Sequence, residues 1–255
     1  MNYIVVIPTR MSSSRYPNKP IKKILGLEMI SHCYKRVNLV IPKDKIFISS
    51  CDNEIREISK KLNANFIYTS NKCKSATERT YEAFKKIKKN MKKKIKIIIM
   101  VQGDEPLLIP SSIKSSLNKL KNKKVNIINV LSKPILNKHV MDQNNVKALV
   151  NKTNKIIYFS RESIPSNWKK NSLNHQYIQT GIIGFKTDYL IKYFKLRSSK
   201  LEDLESIDMN RFIDNNVTLD AIKLNKYTFG VDTHSDLRNA TKILKNDIYI
   251  NKYIK

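Results

Sequence analysis

The sequence predicts an α/β protein built on a mostly parallel central sheet with helices on both faces. Three observations carry this. Short, continuously apolar runs alternate with longer amphipathic ones through the first hundred residues or so. The apolar runs lack the in–out alternation of a half-exposed strand, so both of their faces should be buried, as they are in doubly wound sheets. No linker rich in Gly, Ser or Pro and no internal repeat divides the 255 residues, a length that supports a sizeable single core.

The elements follow in order. "YIVVIP" (3–8) reads as a first buried strand that breaks at its proline. Residues 29–40 have helical spacing, 45–50 are strand-like, and 53–63 are helical. A strand at 65–70 and a helix at 75–89 come next, and "KIKIIIMVQ" (94–102) is the strongest strand. The second half is richer in strands, at 125–131, 144–151, 155–165 and 177–185, before helical spacing returns at 188–196 and 201–216. The two halves are expected to share one sheet, the second adding a substrate lobe and a dimer surface.

Composition excludes several classes. No run is apolar enough to span a membrane, and the first residues lack a basic segment followed by an apolar run and cleavage site. The expectation is a mature, soluble, cytoplasmic protein. Cys33, Cys51 and Cys73 are scattered and odd in number, which fits neither a disulfide framework nor a zinc site. His32, His139, His175 and His234 share no metal spacing. The net charge of +28 raises the question of a nucleic-acid partner. Lysine is spread along the whole chain together with Asn and Ile, and no basic stripe is interleaved with aromatics, so the charge reads as compositional. The densest run, 85–96, reads as a solvated helix end and loop.

Ligands of open α/β sheets bind at the carboxyl ends of strands. Three polar segments fall there: 8–20, the helix start at Ser75, and 102–106. The first brings Arg10, Arg15 and Lys19, with Ser12, Ser13 and Ser14 between them and no glycine. Guanidinium forks match phosphate oxygens, an ammonium adds a point charge, and hydroxyls add neutral donors. The GxxxxGK[ST] pattern of a Walker loop is absent. In "VQGDEP" (101–106), Gly103 permits a tight exit and places Asp104 and Glu105 at the strand edge. One or two carboxylates with substrate phosphates hold Mg²⁺; the alternative is a turn carboxylate capping the helix over 111–120. Asp232 in "FGVDTHSDL" (229–237) has the same two readings, because "THSDL" looks like a helix start. Ser75 and Glu78 in "SATER" form either a capping box or a helix N-terminus facing a nucleotide. Arg161 in "YFSRESIP" either clamps a carboxylate bidentately or pairs with a nearby acid.

Taken together, "IPTRMSSSRYPNKP", "SATER", "VQGDEP", "NNVKALVN", "YFSRESIP" and "FGVDTHSDL" resemble the 3-deoxy-manno-octulosonate cytidylyltransferase (CMP-Kdo synthetase) family in order and approximate spacing over nearly the whole chain. The resemblance implies a single Rossmann-like nucleotidyltransferase domain over 1–255. Its nucleotide-binding half covers about 1–110, and a smaller, strand-rich sugar-binding and dimerisation half covers about 111–255. It implies a homodimer that couples CTP to the acidic sugar Kdo for lipopolysaccharide synthesis, releasing pyrophosphate. By the same resemblance Arg10, Ser13, Arg15 and Lys19 hold the CTP phosphates, and Ser75, Thr77 and Arg79 lie in the nucleotide region. Gln102 faces the substrates, Asp104 and Asp232 bind Mg²⁺, and Arg161 faces the sugar carboxylate.

The chain also departs from that pattern. Asn18 stands where the family has glycine, and Ala76 replaces the glycine of "SGTER". On the sugar side, Gln179 and Ile183 stand for a histidine and a tyrosine, and Asp208 with Met209 for glutamate and glutamine. The nucleotide half is nearly intact and the sugar half altered, which suits a Kdo-like acid such as an amino-substituted derivative. A sialic-type nine-carbon acid is the sister reading, and a basic nucleic-acid-binding protein the distant one.

Overall fold

The computed structural model describes residues 2–13, 15–166, 168 and 172–254. The chain falls into two compact units, Met1–Lys114 with Gly230–Lys255, and Ser115–Phe229.

The first unit opens with β1 (Tyr3–Pro8), followed by a hairpin of β2 (Lys23–Ile24) and β3 (Leu27–Glu28). Leu25 and Gly26 both take positive φ, 50° and 82°, the backbone a two-residue hairpin turn requires. Then come α1 (Met29–Asn38), β4 (Ile46–Ser50), α2 (Asn53–Lys61), β5 (Asn65–Tyr68), α3 (Ala76–Lys89), β6 (Ile97–Val101) and α4 (Pro110–Leu120). β1 pairs in parallel with β4 and β6, and β4 with β5. Ile4 to Ile7 and Ile97 to Val101 are buried throughout, which is why these runs read as continuous rather than alternating. α1 packs on β4, α2 on β5, and α3 on β1 and β4.

The second unit contains β7 (Ile127–Ser132), α5 (Asn137–Met141), β8 (Lys147–Val150), β9 (Lys155–Ser160), β10 (Tyr177–Lys186), α6 (Thr187–Tyr193), α7 (Lys200–Glu205), α8 (Asn210–Asp214) and β11 (Leu219–Lys223). Its ladders are mostly antiparallel: β10 with β7 and β8, β9 with β8 and β11. β11 with β7 is parallel. The chain then returns to the first unit, where α9 (His234–Lys245) completes it. Among the described residues no helix is long and apolar enough to cross a membrane.

Several elements differ from the sequence reading: the β2–β3 hairpin and α5 are additional, and the strand read over 155–165 ends at Ser160. The helical stretch over 201–216 is two short helices. Ser206 takes a left-handed φ of 53° and Ile207 N–H donates to the Glu202 carbonyl at 3.1 Å, which closes α7. The strand at 144–151 starts only at Lys147, because Asp142 Oδ1 accepts the Asn144 N–H at 2.8 Å and holds 142–145 as a turn. β11 was not anticipated. Its apolar alternation is broken by Asp220, which is buried and paired with Lys155 Nζ at 2.8 Å.

Candidate active site

The site in the first unit forms where β1, β4 and β6 end. After β1 the chain is held down on β4: Thr9 N–H donates to the Ser49 carbonyl at 2.9 Å, and Met11 N–H to Asp52 Oδ2 at 2.8 Å. Ser50 Oγ donates to the same Asp52 oxygen at 2.9 Å. The loop closes where Asn18 N–H donates to the Met11 carbonyl at 3.2 Å. Asn18 makes this return in the left-handed region (φ 58°, ψ 25°), a conformation that asparagine tolerates better than other side-chain-bearing residues. The turn that the sequence makes without glycine is therefore intact. Lys19 follows directly and opens a short 3-10 turn.

Lys19 is the centre of the cluster. It is only 8% exposed, and its Nζ donates to Asp104 Oδ2 at 2.6 Å and to Asp232 Oδ1 at 2.8 Å. Burial by itself would lower its pKa. The charges and hydrogen bonds of the two carboxylates outweigh burial and hold the ammonium above the ordinary lysine range. Arg15 Nη2 lies 3.3 Å from the same Asp232 oxygen. Arg10 is exposed, and Ser13 is half-buried with its Oγ accepting the Tyr16 N–H at 3.3 Å. Ser14 lies outside the described residues.

Asp104 follows β6 through Gly103, whose N–H donates to the Pro8 carbonyl at 3.2 Å. The glycine is needed for space rather than for an unusual φ. A Cβ there would stand 2.8 Å from Thr9 Cβ and 2.9 Å from Ile30 Cδ1. Asp104 does not cap α4; its carboxylate turns to Lys19, and its Oδ1 is buried without a hydrogen-bond partner among the described residues. Its carbonyl accepts the Val231 N–H at 2.9 Å, which brings the second carboxylate alongside. At Asp232 the capping alternative falls away. Thr233 is the N-cap of α9, and Thr233 and Asp236 form a reciprocal capping box. Asp232 contributes only its N–H, to Asp236 Oδ2 at 3.1 Å, and its carboxylate is left to the cations.

At the start of α3, Ser75 Oγ accepts the Glu78 N–H at 3.1 Å, but the Glu78 carboxylate accepts the Lys74 N–H at 2.7 Å rather than that of Ser75. The expected capping box is thus half formed. Thr77 is fully buried, and Arg79 is buried with Nη1 donating to Thr69 Oγ1 at 2.6 Å. Gln102 is half-buried just after β6.

The residues assigned to the sugar lie in the second unit. The Arg161 guanidinium donates through Nε to the Glu205 carbonyl at 2.8 Å and through Nη1 to the Gln143 carbonyl at 2.9 Å. The Glu205 carboxylate accepts the Arg161 N–H instead, at 2.8 Å, and also the Ser160 and Tyr158 hydroxyls. Burial alone would raise the pKa of Glu205, and these donors pull it below the ordinary range. Gln179 Nε2 donates to Asn129 Oδ1 at 2.7 Å. Ile183 is buried opposite Asn129 across β7, past an irregularity in the β10 register. Asp208 is half-buried and raises the pKa of Tyr193, although burial is the larger cause there.

Asp52 and Asn129 are two further polar residues that the sequence motifs do not single out. Asp52 was within reach of the same rule that found Asp104, because it stands just past the carboxyl end of β4. Asn129 carried no signal, being a polar residue flanked by apolar ones within a strand.

Comparison with known proteins bears on what this arrangement does. The profile of a family described as cytidylyltransferase matches residues 4–223. A 3-deoxy-manno-octulosonate cytidylyltransferase of Rickettsia canadensis is 34% identical over 242 residues, covering 95% of this chain and 96% of the relative. Among solved structures, a CMP:2-keto-3-deoxy-manno-octonic acid synthetase in complex with CTP superposes with a TM-score of 0.83 at 27% identity, over 96% of this chain and 99% of that one. A cytidylyltransferase from Leptospira borgpetersenii shares the fold at a TM-score of 0.65 and 14% identity, over 97% of this chain and 88% of its own.

Proposed function

The chain belongs to the 3-deoxy-manno-octulosonate cytidylyltransferase family, and from that premise we propose that it transfers CMP from CTP to Kdo or a close Kdo-like acid, releasing pyrophosphate. The observation that carries this reading is the Lys19 ammonium bridging Asp104 and Asp232, with Arg15 on the latter. Transfer of a nucleotidyl group asks a protein to position its substrates and neutralise charge; a covalent nucleophile is not required. The anomeric hydroxyl of the sugar loses its proton to solvent as its oxygen attacks the α-phosphorus in line, the bond from that phosphorus to the bridging oxygen breaks, and pyrophosphate leaves with that electron pair.

Arg10, Arg15 and Lys19 are read as the cations that hold the triphosphate. With its pKa raised above the ordinary lysine range by the two carboxylates, Lys19 serves as a positive charge. Ser13, Ser75, Thr77, Arg79 and Gln102 are read as the rest of the nucleotide side. The buried, tied Arg79 acts there through the position of Thr69. The donor set suits Mg²⁺: two carboxylates, one with a buried oxygen that has no hydrogen-bond partner among the described residues, would draw the remaining ligands of a hard cation from substrate phosphates. Asp104 and Asp232 would hold it, and it would supply charge neutralisation on the phosphates. Arg161, whose Nη2 carries no protein hydrogen bond among the described residues, is read as the partner of the sugar carboxylate. The protein is further read as a cytoplasmic homodimer that feeds lipopolysaccharide synthesis, without a nucleic-acid partner.

Pyrophosphate release measured with CTP, Mg²⁺ and Kdo tests the reaction, and dependence on all three is expected. No release with any 3-deoxy-ulosonic acid, together with salt-sensitive nucleic-acid binding, would refute it.

A second reading concerns the sugar. Gln179 is engaged with Asn129, and Ile183 offers no polar atom, so these positions present a different set of groups from a histidine and a tyrosine. Losing a polar partner to a sugar hydroxyl costs about 1–3 kcal/mol. This favours an acid that differs from Kdo, such as an amino-substituted derivative. Steady-state kinetics with both acids decides the matter, and a clear preference for Kdo would retire the second reading.

A further inference from the structure

The motif "NNVKALVN" has no part in the assignments above, yet it contains a buried ammonium. Lys147 opens β8 and pairs with Ser160 of β9 on one side and Ile178 of β10 on the other. Its side chain is fully buried. Its Nζ donates to three main-chain carbonyls, those of Asp142 (3.0 Å), Asn145 (2.7 Å) and Arg161. An ammonium has three N–H donors, so all of them are used.

Two segments meet on this group: the 142–145 turn and the strand end at Arg161. They are also tied to each other directly. Arg161 Nη1 donates to the Gln143 carbonyl at 2.9 Å, and Gln143 Nε2 donates to Glu162 Oε1 at 2.8 Å. The guanidinium of Arg161 is therefore aimed by a turn whose two ends are bound by Lys147, while its own carbonyl is bound by the same ammonium.

We propose that Lys147 is a positioning residue for Arg161: its ammonium clamps the 142–145 turn to the Arg161 main chain and so sets the direction of the guanidinium that takes the sugar carboxylate. This rests on the reading of Arg161 given above. It also predicts a pH dependence. Burial pushes the Lys147 pKa down to about 8, against the pull of Asp142, Glu162 and Glu205 and with the help of Arg161, the charged groups that face it. A neutral amine has two N–H donors for three carbonyls. Deprotonation thus frees one carbonyl and removes a positive charge from the surroundings of the sugar carboxylate, so sugar affinity falls as pH rises through about 8.

The sign for global stability is the opposite. The folded pKa lies below the unfolded lysine value of about 10.4. Between the two, the unfolded chain binds the extra proton, so the Lys147 contribution to stability rises with pH. A group that merely supported the fold would move affinity and stability together.

The test compares wild type, Lys147→Met and Arg161→Ala, measuring KM for Kdo and for CTP by pyrophosphate release from about pH 7 to about pH 9.5. Lys147→Met should raise the Kdo KM roughly tenfold, the scale of a misplaced binding group, with the CTP KM unchanged. The wild-type Kdo KM should climb across this range, while that of Lys147→Met stays flat. A wild-type Kdo KM in Lys147→Met, or Kdo and CTP KM rising together, overturns the proposal. If that variant does not fold, a flat wild-type profile overturns it equally. Arg161→Ala separates the two levels: an unchanged Kdo KM there removes the reading of Arg161 and this inference with it. A raised Kdo KM in Arg161→Ala beside an unaffected Lys147→Met removes the inference alone.

Discussion

Lys19, Asp104 and Asp232 were each visible in the sequence as a charged residue after an apolar run, but their relation was not. For Asp232, capping and metal binding were equal on spacing; in the fold Thr233 and Asp236 cap the helix and satisfy each other, which leaves the Asp232 carboxylate outside the cap. Asp104 is half-buried at a strand edge rather than in the core. Asp104→Asn should therefore lower turnover by on the order of 10²-fold or more, the scale of removing one charge-stabilising group at a reacting centre. The thermal midpoint should stay close to that of wild type. Wild-type turnover in this variant would take Asp104 out of the reaction. Arg15 is about half-exposed, 47% by side chain. A hydrogen bond to a charged group is worth about 1.5–3 kcal/mol, and solvent screening places Arg15 at the low end. Arg15→Ala should then raise the CTP KM roughly tenfold with little change in kcat. CTP kinetics identical to wild type would mark it as a solvated side chain.

At the scale of elements, the loop between β1 and Lys19 depends on its return at Asn18 more than on its charges. Asn18→Gly should be neutral, whereas Asn18→Val forces a β-branched residue into left-handed backbone at about 1–2 kcal/mol. Urea unfolding of the two variants measures the cost, and equal midpoints would show that the loop has another way to turn. Strands buried on both faces were legible because their apolar runs are uninterrupted. β11 was not, since Asp220 breaks its pattern and its partner Lys155 is 65 positions away in the chain. The α7–α8 break was likewise hidden, because Ser206 gives no turn signal as strong as glycine would.

At the scale of the whole molecule, the charge of +28 is the largest single feature of the composition. Lysine is spread along the whole chain, and the charge acts on a small polyanion through its summed field. The value of kcat/KM for CTP should therefore fall several-fold between about 0.05 M and about 0.5 M salt, as screening shortens that field, while kcat stays nearly constant. A salt-independent kcat/KM would confine electrostatics to the Arg10, Arg15 and Lys19 loop. By itself the sequence determined the α/β class, the order of most elements, and the strand ends that carry charge. Those follow from local periodicity and from residue chemistry, both readable along one dimension. Only the tertiary structure decided which charges meet. It joined Lys19 to carboxylates 85 and 213 positions away, and it closed three carbonyls around Lys147. Contacts of that kind depend on how strands pair and how loops return over them, and no local pattern in the chain encodes that.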